Sequence, residues 1–333
     1  ATHQQPQLLS TQYTLGRELA ISTSTSRLYQ GYINTEVAKS RLAIKVIPSH
    51  VLFQADMYER VVCALRTARR LQHRHVQAFV SSFTTPATEL WIVQILCAGS
   101  MHDLLLRNDQ QGFCEPSIAH VIKGSLAGLH YLNHNNIVHR SISSRSILIG
   151  LDGVPKLGRL QYSVQLDNSN NNNNNSDSGG GGGSLHEFHC EPRHIPWAAP
   201  EYLRQDLEGY TSKIDVYSIG VVALEMFLGK QPYYGMLPAE IFLLKLQDER
   251  TPAGFVGVHL QTCTKYFTQF LQACLDDNDY SRGQPLTLLQ CGFMKQNRAM
   301  PDVFATIVAN NCEIVTAGDQ DQQRPLSPLP QSP

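Results

Sequence analysis

The hydrophobic period of this chain changes at Cys97-Ala98-Gly99-Ser100, and that change limits the folds open to it. Before it, apolar residues come in runs of strand length: RLAIKVI at 41–47, ELWIVQIL at 89–96 and the weaker QAFVSSFT at 77–84. One segment among them, MYERVVCALRTARRL at 57–71, repeats at helical spacing. After it, helices dominate. SIAHVIKGSLAGLHYLNH (117–134) sets Ile118, Val121, Ile122, Leu126 and Leu129 on one face. An apolar stretch at 216–228 predicts a buried helix, and amphipathic patterns follow near 239–247 and across 264–275. SILIG and VPKLG flank Leu151-Asp152-Gly153, where Asp-Gly signals a hairpin and Pro155 demands an edge position. The expected fold class is α+β in two lobes. A flexible N-terminus covers 1–12, a small strand-rich lobe 13–97, a larger helical lobe 98–300 and a mostly disordered tail 301–333.

Composition narrows the function classes. A net charge of −1 over 333 residues supplies no global field for nucleic acid or an anionic membrane. Arg66, Arg69, Arg70 and Arg74 form one local basic cluster, read as a solvated helix face. SIGVVALEMFLG is broken by Glu225 and is too short to cross a bilayer. Eight scattered cysteines, with no CxxC pair and no Cys/His metal spacing, predict thiols in a reducing compartment and no structural zinc. No signal peptide is read at the N-terminus. NSNNNNNNSDSGGGGGS (168–184) cannot bury a core and predicts a disordered loop. The ending AGDQDQQRPLSPLPQSP reads as a tail, with a proline-motif ligand as the minor alternative.

Several ordered strings then carry a resemblance. LAIK (42–45) is similar to the V-A-I-K strand of protein kinases, with Lys45 in the phosphate-pairing position. HRS (139–141) stands where H-R-D belongs, WAAPE (197–201) is similar to the end of an activation segment, and DVYSIG (215–220) to the buried-Asp helix after it. Arg282 stands where a late arginine pairs with Glu201. In this order the strings resemble a protein kinase over roughly 13–296.

The resemblance lets each catalytic part be checked, because phosphoryl transfer needs positioned phosphates, magnesium and an in-line hydroxyl. Ala20, Ser22 and Thr25 fall at the three glycines of the phosphate cover, and none has glycine's freedom at positive φ. Ala64 falls where the glutamate partner of Lys45 belongs, with Glu59 more than a turn away. Ser141 replaces the catalytic aspartate, and a hydroxyl does not accept a proton near neutral pH as a carboxylate does. Ser143 replaces the loop lysine, Ser146 the metal-binding asparagine, and Arg159 the metal-binding aspartate. A guanidinium does not bind magnesium. Arg159 is read either as a structural salt bridge or an exposed side chain, or as a direct phosphate contact. Ala43, His139, Leu148 and Leu160 keep packing positions, and Glu201, Asp215 and Arg282 keep the lobe's supports. This set implies a pseudokinase.

Among pseudokinases the chain resembles the STRAD family, relatives of the STE group that activate liver kinase B. HRSISSRSILI, LGRL (157–160), HIPWAAPE, LEGYTSKIDVYSIGVVALEMFLGKQPY (207–233) and FMKQ (293–296) carry the likeness. It implies an allosteric activator and adaptor of a serine/threonine kinase of liver kinase B type, completed by a helical-repeat, armadillo-like scaffold. It also implies magnesium-independent ATP binding, with Lys45, Ala43, Leu148, Leu96, Cys97 and Arg159 around the nucleotide and no metal. His186 and Phe188 are carried over as partner-facing, on the match of His-Glu-Phe to the family's His-Asp-Phe. The expected location is the cytoplasm, with the nucleus as a second compartment. Two departures stand out: the ending LPQSP in place of a Trp-Glu-Phe tail, and the Asn/Gly insert. The alternatives are a passive scaffold, and a residual kinase that would need Asp152 or Asp167 to hold magnesium.

Overall fold

The computed structural model describes residues 12–23, 26–33, 42–53, 57–86, 88–166, 188, 190–205, 209–247, 262–297, 304–306 and 308–310. The insert at 168–184, Thr25, Asp167, His186 and the ending after 310 lie outside the described residues.

Five strands open the chain: β1 (Tyr13–Thr23), β2 (Ser26–Ile33), β3 (Leu42–Pro48), then, after two helices, β4 (Phe79–Thr84) and β5 (Glu89–Ile95). They form one antiparallel sheet in the order β1-β2-β3-β5-β4. The helices are a single turn, α1 (Ser49–Leu52), absent from the sequence reading, and α2 (Met57–Arg70). Alternation along β3 decides what each face does. Leu42, Ile44 and Val46 pack with Phe83 and Val93 in a small core. Ala43, Lys45 and Ile47 face the other way. The arginine cluster is exposed as expected, although the helix ends at Arg70 and leaves Arg74 in the following turn. Arg69 also donates to the Ser82 hydroxyl and stands over the Phe79 ring.

Cys97–Ser100 (β6) leaves this sheet and pairs instead with β8 (Ile147–Gly150), which pairs with β9 (Pro155–Leu157). Pro155 therefore sits on an edge strand, as its missing N–H requires. Gly153, at φ 74°, turns the hairpin, and Asp152 Oδ1 accepts from the Val154 N–H at 3.1 Å.

The second half is helical. α3 (Met101–Arg107) starts in a reciprocal cap between Ser100 and Asp103. α4 (Glu115–His134) buries the face set out by its sequence. Past β7 (Ile137–Val138), which pairs with β10 (Val164–Gln165), come α5 (Pro200–Arg204), α6 (Lys213–Leu228) and α7 (Pro238–Leu246). α8 (Lys265–Cys274), α9 (Pro285–Leu289) and α10 (Gly292–Gln296) complete the lobe. α6 is buried all round, with Ile219, Val222 and Leu224 at its centre. It stops at Gly229, whose φ of 78° and close approach to the Gln110 carbonyl leave no room for a side chain. Strand lobe and helical lobe together make the two-lobed α+β fold expected from the sequence.

Candidate functional site

A cavity of about 320 Å³ runs between the lobes. Ala43 and Lys45 reach it from β3, Leu96 and Cys97 from the connection into β6, Leu148 from β8, and Arg159 from the turn after β9. The six residues assigned to a nucleotide thus line one space. Ala64 lines it too, from α2, while Glu59 on the same helix is exposed.

Cations outnumber carboxylates in this space. Lys45 is half-buried, and burial, with Arg159 and Arg193 nearby, pushes its ammonium down to about 8; Glu191 opposes the shift. Arg159 is half-buried in left-handed backbone (φ 60°, ψ 45°), rare outside glycine and asparagine. Burial, then Arg193 and Arg145, lowers its guanidinium; Asp103 and Glu191 act the other way. The Cys97 thiol is pushed up to about 12 by burial and donates to Gln77 Oε1 at 3.2 Å.

Ser141, Ser143 and Ser146, the serines read at catalytic positions, are not among the residues that line the cavity. The Ser141 hydroxyl lies 3.3 Å from His139 Nδ1. Ser146 closes its own loop, donating to the Ser143 carbonyl at 3.0 Å and accepting from the Ser143 N–H at 2.8 Å. Among the described residues no group of three or more His, Cys, Asp or Glu side chains is placed to hold a metal ion. Asp152 lies in the β8–β9 turn and caps it.

The supports of the helical lobe are complete. The two Asp215 oxygens accept from the backbone N–H groups of His139 (2.7 Å) and Arg140 (2.8 Å). Burial nevertheless raises the Asp215 carboxyl to about 7. His139 Nε2 lies 2.8 Å from the Gly158 carbonyl, so the ring carries its proton there, and burial holds its pKa near 4. Arg140 donates to the Tyr162 carbonyl and the Tyr210 hydroxyl. Arg282 is buried against Glu201, with Nη2 3.1 Å from Oε2, and also reaches the carbonyls of Asp276 and Lys213. α2 packs on the turn Leu160–Tyr162 beside Arg159.

Comparison with known proteins decides the family. The sequence profile of protein tyrosine and serine/threonine kinases matches residues 14–290. The STE20-related kinase adapter protein alpha of Bos taurus is 26% identical over 292 aligned positions, covering 73% of this chain and 75% of that protein. STE20-related kinase adapter protein beta of Homo sapiens is 32% identical over 178, covering 53% and 40%. Serine/threonine-protein kinase max-2 of Caenorhabditis elegans is 25% identical over 274, covering 82% and 37%.

The chain belongs to the protein kinase family, among the STRAD pseudokinases. With the exception of the bovine and rat proteins, it spans less than two thirds of the length of these adapter relatives.

Two features of this pseudokinase escaped the sequence. Lys245, read only as part of an amphipathic helix, is buried and donates to the carbonyls of Ile195 (3.0 Å), Pro196 (2.9 Å) and Ala198 (2.6 Å). Its ammonium also faces the rings of Tyr217 and Tyr233. Glu225, read as a break in an apolar run, accepts from Ser144 Oγ and Trp197 Nε1, both at 2.8 Å. Each fastens the segment 195–198 to the helical core. Phe188 is half-buried, its ring 5.3 Å from that of Tyr210 and 6.0 Å from that of Tyr202.

Proposed function

We propose that the chain is a catalytically inactive adaptor. It binds the active conformation of a serine/threonine kinase of liver kinase B type better than the inactive one and so raises that kinase's activity, with a helical-repeat scaffold in the same complex. The observation that carries this reading is the replacement at the cleft. Arg159 lines the cavity where a kinase holds magnesium, and Ser141 and Ser146 face their own loop. The adapter relatives are kinase adapters by name, which supports the docking role. Moving a partner from mostly off to mostly on requires about 5 kcal/mol of differential affinity. Phe188, beside Tyr202 and Tyr210, and His186 belong to the partner-facing surface in this reading.

The residues around the cavity suit a nucleotide without metal. Ala43, Leu96 and Leu148 offer an apolar slot, and Lys45 and Arg159 offer cations for phosphate. ATP would stabilise the closed arrangement of the lobes by mass action. A thermal-shift titration with ATP, with and without magnesium and repeated on Lys45→Met, tests this. The expected result is a magnesium-independent rise in Tm that the substitution abolishes. Turnover of the partner kinase at saturating adaptor tests the activation itself. Binding without a gain in turnover would leave a passive scaffold, and phosphotransfer by the isolated chain would make it an enzyme.

A further inference from the structure

The cavity between the lobes continues past Lys45 into a recess that a nucleotide does not account for. Along β3, Ala43, Lys45 and Ile47 stand on one face in two-residue steps. Ala43 packs with Leu96, Leu19 and Leu28. Ile47 packs with Val61 and Ile92, and Leu65 and Phe79 lie against them. Both groups line the cavity, so Lys45 stands between two apolar regions of one space. The first belongs to the slot read above for a nucleotide. The second lies between the sheet and α2.

Small residues keep this recess open. Val61, Ala64, Leu65 and Ala68 of α2 all line the cavity and share one helical face. Only Val61 is fully buried, and the other three are half-buried. Ala64 stands where the glutamate partner of Lys45 belongs, and its methyl and that of Ala68 leave room that longer side chains would take. The walls are aliphatic apart from Phe79 and offer no polar side-chain atom. A charge stands at the threshold. Lys45 is the cross-strand neighbour of Ile92, and the two share one face of the sheet. Burial costs its ammonium water, and no other described residue gives it a hydrogen bond or ion pair. Over the whole cavity Arg17, Lys45, Arg107, Arg145 and Arg159 stand against the carboxylate of Asp103, which favours an anion. A compact ammonium at the mouth of an aliphatic recess suits a single carboxylate on an alkyl chain.

We propose that the recess between α2 and the sheet holds the alkyl chain of a medium-chain carboxylate, with the head group on Lys45. A seated chain would hold α2 against the sheet, and with it the turn Leu160–Tyr162 on which α2 packs. The site shares Lys45 with the nucleotide slot and does not depend on nucleotide binding. Isothermal titration calorimetry on the full chain, with butanoate, hexanoate, octanoate and decanoate at neutral pH, tests it. Kd is expected to fall about fourfold for each added methylene until the recess is full, and to stop falling there. Octanoate should bind about tenfold tighter than octan-1-ol, because only the carboxylate pairs with the ammonium. Lys45→Met should remove that difference. Ala68→Phe, which fills the recess from α2, should weaken octanoate about tenfold or more.

An affinity independent of chain length overturns the proposal. So does one that climbs without a break through tetradecanoate, which marks adsorption to apolar surface. Equal binding of octanoate and octan-1-ol, or octanoate binding indifferent to Ala68→Phe, overturns it as well. The length profile is read on the native chain and decides the matter even where a substituted chain fails to fold. ATP titration of the same chain separates the two readings of the cavity. ATP binding without carboxylate binding sinks this inference alone, and carboxylate binding without ATP binding sinks the nucleotide slot alone.

Discussion

Arg282 and Arg159 are both drawn out of full contact with water in the helical lobe, and their surroundings differ. Arg282 meets Glu201, two backbone carbonyls and the face of Tyr217 at 5.2 Å. Arg159 sits in strained backbone, and the largest electrostatic influences on it come from two other arginines. The first region spends its buried charges on holding the lobe together. The second gathers several cations with Asp103 around an open space, an arrangement that becomes more favourable with an anion present. Support and site are therefore separable in this fold, and substitutions can probe each alone.

The largest effect belongs to the support. Arg282→Ala leaves the Glu201 carboxylate without its guanidinium and strips donors from the carbonyls of Asp276 and Lys213. It is expected to cost about 3–5 kcal/mol of stability, read from urea unfolding. A loss below about 1 kcal/mol would mean that the pair is dispensable and that the contrast with Arg159 is one of appearance.

Lys245→Met comes next. It removes three hydrogen bonds from buried carbonyls and should cost about 2–4 kcal/mol. Amide exchange over 195–199 should quicken first, because that segment loses its anchor. The pH dependence follows from burial, which pushes the Lys245 ammonium from 10.5 to about 7. Between those values the unfolded chain binds more protons than the folded one, so stability rises with pH across that window. Lys45, lowered to about 8, adds to the rise above its own value. Removing Lys245 should flatten the curve from about pH 7 up to about 10, with the contribution of Lys45 remaining above pH 8. An unchanged curve would show that the three carbonyls hold the ammonium charged throughout.

These two anchors also mark where the sequence stops informing. The Arg282–Glu201 pair was legible because both members sit in recognisable strings. Lys245 was not, because its partners are backbone carbonyls, which leave no trace in residue identity, and they lie 47 to 50 positions away. β3, β4, β5, β8 and β9, with α2, α4, α6 and the Asp-Gly hairpin, announced themselves through period and turn chemistry. α3 did not, although Ser100-x-x-Asp103 ahead of Leu104-Leu105 is a capping signal that could have found it. In the cleft, the lost catalytic groups could be counted by position. The meeting of Lys45, Arg145 and Arg159 around one cavity could not, because it joins residues from β3, the loop before β8 and the turn after β9.

A substitution at the cleft should change ligand chemistry, with a stability cost where it touches buried Ser146 and the two hydrogen bonds that close its loop. Arg159→Asp with Ser146→Asn restores two metal-ligand types, and the expected outcome is a magnesium-dependent thermal shift with ATP that the parent chain lacks. At ligand a hundredfold above Kd that shift corresponds to about 2.7 kcal/mol. A magnesium-dependent shift in the parent chain would show that carboxylates elsewhere already serve, and the division between support and site would have to be redrawn.

The smallest and sharpest test sets two neighbours against each other. Ser143 and Ser144 are both serines, both buried, and adjacent in the same loop. Ser144 Oγ donates to Glu225, whose carboxyl burial raises to about 7 while Ser144 and Trp197 hold it down. Ser143 Oγ has no hydrogen-bond partner among the described residues. Ser144→Ala should therefore cost about 1–2 kcal/mol, since a buried carboxyl loses a donor. Ser143→Ala removes an unsatisfied hydroxyl and should be neutral or stabilising by up to about 1 kcal/mol. If both substitutions cost the same, the serine-rich loop acts as one packed unit. If Ser143→Ala instead weakens ATP binding with stability unchanged, its hydroxyl belongs to the site, and the line between the two regions runs between adjacent residues.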